Sequence, residues 1–244
     1  MRVPPVWYHL SHMENTENSK FLPVAVVVAG LLIAGAVVWN GSHPAAAPAG
    51  TAGTGAAPSA DIKNIKMDGD PFIGKADAPV TIAFWSDFQC PFCKSFELTT
   101  LPQIVKDYVD TGKVKLVMMD FAFLGNDSIA GGEYNRAIWK LYPEKYFAWR
   151  TAMYNAQDQE GDQGFGNAAS IDKLNATIPG IDAAKVAADV KANKTAYDAA
   201  MESDKAEAVK AGVNATPSFV IGTQVIAGAY PYPNFKAVID PLLK

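Results

Sequence analysis

Cys90 and Cys93 are the only cysteines in the 244-residue chain, and Pro91 and Phe92 separate them. Two thiols three positions apart on a helical turn can close a disulfide while the first stays at the helix N-terminus. There the free N–H groups and the helix dipole favour a thiolate and lower its pKa below the ~8.5 of a free thiol. Pro91 suits the first helical turn, where it has no hydrogen bond to lose. A thiolate at neutral pH attacks disulfides and also leaves readily from them. The spacing predicts Cys90 as the surface nucleophile and Cys93 as the recessed partner that resolves a mixed disulfide.

Other uses of the pair fare worse. A disulfide-stapled scaffold needs several pairs spread through the chain, and a bridge closing so small a loop constrains the unfolded chain little. Tetrahedral zinc needs about four ligands, and the only histidines, His9, His12 and His43, lie in or before an N-terminal linker. The same absence removes the base that a Ser/His/Asp or Cys/His hydrolase requires. Copper(I) on two thiolates is the remaining metal reading, with Met118 and Met119 as soft ligands in principle, although a strand context favours core packing for at least one of them. A net charge of −4 gives no basic footprint for nucleic acid.

The elements around the pair form a β–α–β unit. Val80 to Trp85 (VTIAFW) is short, apolar and partly β-branched, the pattern of a buried strand. After Cys90, the residues Phe96, Leu98, Leu101, Ile104, Val105, Tyr108 and Val109 recur at mostly helical spacing, with Pro102 expected to kink the helix and Gly112 to end it. Lys113 to Phe121 gives a second strand, parallel to the first. A helical section from about 126 to 211 follows, with stretches at Ile129–Tyr142, Glu144–Tyr154, Asp182–Ala192 and Thr195–Ala211. Its capping candidates are Ser128, Ser170 and Thr195, and Gly161–Gly166 reads as a loop. Ser218–Ile221, a turn at Gly222-Thr223, Gln224–Ala227 and a helix near Asn234–Leu243 close the chain as a hairpin and a helix.

Ahead of this lies an export device. Phe21 to Trp39 holds no charged residue, and its length of about 19 residues matches the ~20 needed to cross a bilayer as a helix. Arg2 and Lys20 precede it and the next basic residue is Lys63, so the positive-inside rule keeps residues 1–20 cytoplasmic and sends the rest out. A cleaved signal peptide is the alternative, with Ala45 and Ala47 near a cleavage site. Residues 40–60, rich in Ala, Pro, Gly and Ser, read as a tether spanning on the order of 25 Å. Residues 61–244 form the globular part.

The run FWSDFQCPFCKSFE (84–97) resembles the DsbA-like branch of the thioredoxin superfamily, particularly its membrane-tethered members. Ala215-Thr216-Pro217-Ser218-Phe219-Val220 is similar to that family's loop in which a cis-proline faces the cysteine pair. The resemblance covers about 72–244. It implies a thioredoxin-like α/β fold with an inserted helical domain, a cis Thr216–Pro217 bond, and a substrate strand pairing with the Thr216 backbone beside Cys90. It implies no metal or organic cofactor beyond the redox-active Cys90–Cys93 disulfide. Reduced exported polypeptides are the implied substrates and a quinone-linked membrane thiol oxidase the recycling partner.

Two positions depart from the family pattern. Many relatives carry a glutamate six positions before the first cysteine, where this chain has Phe84. Asp87 either substitutes for it or caps the active-site helix, and capping is the preferred reading. Pro91-Phe92 replaces the Pro-His of strongly oxidising relatives, so a milder oxidant is expected, with partial compensation from Lys94. Disulfide formation in exported proteins is the leading reading. A reductase or isomerase fed by a membrane donor uses the same residues, and copper handling falls within that reading. A tethered chaperone or scaffold with a structural disulfide is the alternative of another class.

Overall fold

The structure, a computed structural model, describes residues 60–244. The segment expected to be cytoplasmic (1–20), the apolar stretch Phe21–Trp39 and the linker, save its last residue, lie outside the described residues. Among the described residues no helix is long and apolar enough to cross a membrane.

Five strands form one sheet: β1 (Phe72–Ile73), β2 (Val80–Ser86), β3 (Val114–Asp120), β4 (Ser218–Ile221) and β5 (Gln224–Ala227), in the order β1-β3-β2-β4-β5. As the β–α–β pattern requires, β2 and β3 are parallel, in register from Val80 opposite Val114 to Ser86 opposite Asp120. β4 runs antiparallel to β2, with Ser218 opposite Trp85, and the hairpin turn leaves Gly222 at φ +60°. The two-residue β1, antiparallel to β3, was not anticipated; so short a strand carries no alternation to read. Alternate residues of β2 face two cores. Ile82 and Phe84 join Phe96, Leu101, Phe219 and Phe235 on one side, and Ala83 and Trp85 join Val117, Met119 and Val220 on the other. Met118 and Met119 are both fully buried, one in each core, which accounts for both by packing.

Helix α1 opens at Pro91–Ser95, widens to a π-turn at Phe96–Thr100, returns to α geometry at Leu101–Ile104 and widens again at Val105–Val109. Pro102 has no N–H to donate to a carbonyl one turn back. The helix accommodates it through the wider turn, where the Leu101 N–H bonds to the Phe96 carbonyl. Gly112, at φ +73°, turns the chain after it. Between β3 and β4 the described chain is helical: α2 (Asn126–Leu141), α3 (Tyr146–Ala156), α4 (Ala168–Asn175) and α5 (Ala183–Lys210), while α6 (Tyr232–Leu242) closes the chain.

The expected break near 193–194 is absent. α5 runs unbroken for 28 residues, with the Asn193 side chain donating to the Asp189 carbonyl and Lys194 paired with Glu133 and Asp198. The expected caps also differ. Asn167 and Asp182 cap α4 and α5 by accepting from Ser170 N–H and Lys185 N–H, and Thr195 lies inside α5. Ser128 lies inside α2, whose first turn is instead capped by the Asp162 carboxylate, accepting from Asp127 N–H at 2.9 Å. Gly131 lets α2 approach the turn before α1 closely, since a Cβ there would stand 2.9 Å from the Cβ of Phe88.

One buried cluster ties this helical region to the sheet. Arg136 of α2 meets Asp120 at 3.0 Å, Asp204 at 2.5 Å and Asp70 at 3.2 Å. Three carboxylates around one guanidinium leave excess negative charge in a dry site, so proton uptake relieves it. Burial, then the Asp120 charge, push Asp204 up to about 9 against the pull of Arg136. A carboxyl whose folded pKa is raised holds a proton that the unfolded chain has lost, so its stabilisation declines as pH rises from about 4 to about 9. Asp204→Asn, which cannot ionise, is expected to flatten the fall in unfolding free energy over that range by up to about 1 kcal/mol per pH unit. Urea midpoints at several pH values measure it; parallel curves for the two chains would refute the assignment.

Candidate active site

The active-site turn follows β2 directly. Cys90 is the N-cap of α1, with extended backbone (φ −77°, ψ 119°), and Pro91 occupies the first helical turn. The Cys90 N–H donates to the Asp87 carbonyl, and the Lys94 N–H starts the helix by donating to the Cys90 carbonyl, each at 3.1 Å. Both cysteines are unlinked thiols. Cys93 is fully buried, and Cys90, expected at the surface, is itself buried with 5% of its area exposed. Phe92 beside it is 65% exposed.

The two sulfurs differ in electrostatics. Cys90 is lowered to about 6, first by the hydrogen bond from the Cys93 thiol and then by the Thr216 side chain and the N–H groups of Cys93 and Phe92, against burial. Cys93 is raised above its ordinary value, first by burial and then by its bond to Cys90 and the negative charge there. The Cys93 thiol, with the N–H groups of the helix N-terminus as a smaller aid, thus favours the Cys90 thiolate, whereas desolvation dominates at Cys93.

The loop before β4 completes the site. The Thr216–Pro217 peptide is cis, and the Cys90 thiol donates to the Thr216 carbonyl at 3.4 Å. The buried Thr216 hydroxyl has no nitrogen or oxygen partner among the described residues, leaving it free for the sulfurs. The strand register brings this about: β4 pairs with β2, so the chain just before Ser218 meets the chain just after Trp85.

Two modulators differ from expectation. Asp87 does not cap α1, which has no side-chain cap. Its carboxylate accepts instead from Gln89 N–H at 2.8 Å, Ser128 hydroxyl at 2.6 Å and Phe123 N–H at 2.9 Å, binding the turn to the loop after β3 and to α2. Burial pushes its pKa up, opposed by these donors. Lys94 does not face the thiolate; its ammonium donates to the Gln157 carbonyl at 2.7 Å. Phe84 is fully buried, stacked on Phe219 with ring centroids 4.7 Å apart and edge-on to Phe96 at 5.0 Å.

Three polar side chains close to the pair went unread in the sequence. Glu97, one turn beyond Cys93, forms a bidentate pair with Arg150 of α3, both bonds 3.0 Å. The Arg150 guanidinium also lies 5.1 Å from the Phe88 ring and 5.5 Å from that of Tyr154. Gln157, just beyond α3, donates through its side-chain amide to the Phe88 and Cys90 carbonyls at 2.7 and 3.1 Å. Their only sequence trace is Arg150 closing an aromatic run, Tyr146 to Arg150.

A family profile described as Thioredoxin matches residues 66–241. The "Probable disulfide bond formation protein D" of Bacillus anthracis is 28% identical over 173 residues, covering 70% of this chain and 77% of that protein. The "Disulfide bond formation protein D" of Bacillus subtilis (strain 168) is 27% identical over 187 residues, covering 73% and 79%. The crystal structure of oxidised BdbD from Bacillus subtilis superposes with a TM-score of 0.68 at 26% identity, covering 77% of this chain and 98% of that one. With a cis-proline loop facing a Cys-Pro-Phe-Cys turn on a matching fold, the chain belongs to the thioredoxin family, in its DsbA-like branch.

Proposed function

We propose that this chain is an extracytoplasmic thiol–disulfide oxidoreductase that forms disulfides in exported proteins through Cys90 and Cys93. The observation that carries the proposal is the asymmetry of the pair: one sulfur at a helix N-terminus with its pKa lowered to about 6, the other buried and raised. A substrate thiolate attacks the Cys90 sulfur of the enzyme disulfide. The Cys90–Cys93 bond breaks, and Cys93 leaves with the electron pair and takes a proton. A second substrate thiolate then attacks the substrate sulfur of the mixed disulfide, and Cys90 departs as a thiolate. Its low pKa makes it a good leaving group. Two electrons pass from the substrate to the enzyme, and no group beyond the two thiols is needed.

In this reading the Thr216 backbone, next to Pro217, pairs with an extended substrate strand. Pro91 fixes the first helical turn, Phe92 offers an apolar contact at the mouth of the site, and Asp87 holds the turn. Residues 61–244 are the catalytic head, with the helical insertion at about 126–211. Residues 21–39 anchor it in the membrane, with 1–20 cytoplasmic and 40–60 as the tether; the uncharged run and its flanking charges support this. A quinone-linked membrane thiol oxidase reoxidises the head.

The test is the equilibrium reduction potential of the chain against glutathione, followed by thiol trapping. A value near or above about −150 mV marks a disulfide donor, and one near about −270 mV, the thioredoxin range, would reverse the direction to reduction.

A further inference from the structure

Gln157 makes three contacts to the active-site turn from outside it. It follows α3, is buried, and donates its own N–H to the Met153 carbonyl at 3.0 Å. Its side-chain amide bonds the Phe88 carbonyl at 2.7 Å and the Cys90 carbonyl at 3.1 Å, while its main-chain carbonyl accepts from the Lys94 ammonium at 2.7 Å. The residues on both flanks of the nucleophile, and the nucleophile itself, are therefore held by one residue of the helical insertion. The loop that Gln157 begins adds a fourth bond, from the Gln89 amide to the Phe165 carbonyl at 3.2 Å.

We infer that Gln157 is a positioning residue for exchange at Cys90, holding the Phe88 and Cys90 carbonyls of the turn through its side-chain amide. The physical basis is the pair of carbonyl oxygens in the turn that carries the reacting sulfur. Without the amide, the Phe88 carbonyl loses a donor and the Cys90 carbonyl keeps only the Lys94 N–H, so their negative partial charge is less offset beside a thiolate on the same turn. The amide's two donated bonds therefore stabilise the dithiol form over the disulfide, and so make the disulfide a better oxidant.

The inference rests on Cys90 being the exchanging sulfur, so the full chain is first shown to exchange with glutathione. Gln157→Ala and Gln157→Glu are then equilibrated with glutathione redox mixtures, and the Cys90 thiolate is titrated by its ultraviolet absorbance. Both variants are expected to shift the equilibrium about three- to tenfold towards the disulfide form and to move the thiolate titration to higher pH, the glutamate further. A purely structural role would lower the urea midpoints of both redox forms alike and leave the equilibrium where it was. Wild-type equilibrium and titration in either folded variant would overturn the inference while leaving the exchange reading intact. Should neither variant fold, Gln157→Met, which keeps the volume and removes both amide donors, reads the same contacts, and wild-type values there would overturn it equally. A wild-type chain that does not exchange removes the exchange reading and this inference together.

Discussion

Cys90→Ser is expected to exchange no faster than small thiols do in free solution, and Cys93→Ala to accumulate as a mixed disulfide with its substrate. The first lacks the attacking sulfur; the second keeps it but has nothing to resolve the adduct. Non-reducing electrophoresis with a disulfide-bearing substrate, which the Cys90 thiolate attacks to form the mixed disulfide and release one substrate thiolate, separates the outcomes, and full activity of Cys90→Ser would leave only the chaperone reading. The pH dependence is the sharper half of this prediction. With Cys90 at about 6, roughly nine-tenths of it is thiolate at pH 7, so alkylation of the wild-type dithiol should rise around pH 6 and level off above it. Cys93→Ala removes the first of the causes that lower Cys90, so its alkylation curve should move to higher pH. A wild-type rate that climbs only above pH 8 would sink the assignment.

The same group sets how the two redox forms differ in stability. The folded Cys90 value lies below its ordinary 9.0, so ionisation stabilises the folded dithiol. That contribution is complete above about 9 and is lost as pH falls through about 6. Cys93, raised, acts in the opposite sense only above that window. The disulfide form carries neither thiol. The stability of the dithiol relative to the disulfide should therefore shrink between pH 9 and pH 6.

What the sequence made legible shares one property: it depends on near neighbours. Val80–Trp85 reads as a strand because apolar and β-branched residues follow one another, and the turn at Cys90 because Pro91 and the spacing act within one helical turn. The cis-proline loop was located by its order relative to β4, and pairing with β2 puts it against Cys90. What was missed depends on pairs distant in sequence. Gln157 lies 67 residues from Cys90 and Arg150 53 residues from Glu97. An isolated Gln or Arg in a helical pattern reads as a solvated side chain. The Asp87 role was missed for the same reason, since its strongest donor, Ser128, is 41 residues away. Joining two predicted helices into α5 reflects the reverse error. Asn193 and Lys194 looked like a break by local preference, but their partners hold them within one helix.

Arg150→Met is expected to destabilise the protein by about 3–5 kcal/mol, and Glu97→Gln by a comparable amount, because each leaves a buried charge unpaired. Both side chains are at most 1% exposed, and the pair is bidentate, so water cannot replace either partner. The double replacement Arg150→Met/Glu97→Met removes both charges and fills similar volume, which is often neutral or better. It does lose the guanidinium's contacts with four aromatic rings, those of Phe84, Phe88, Tyr146 and Tyr154. Such contacts are worth about 0.5–2 kcal/mol when desolvated, so the double variant should fall below wild type yet well short of the summed single losses. A coupling of about 2 kcal/mol or more from urea unfolding of the dithiol would establish the pair as one unit, and purely additive losses would show that the two side chains act separately. The pair matters to chemistry through its position. It joins α1, one turn behind Cys93, to α3, whose end carries Gln157, so the double variant should also loosen the hold on the Cys90 carbonyl. Its reduction equilibrium is then expected to move in the same direction as that of Gln157→Ala, by a smaller factor, since Gln157 itself remains.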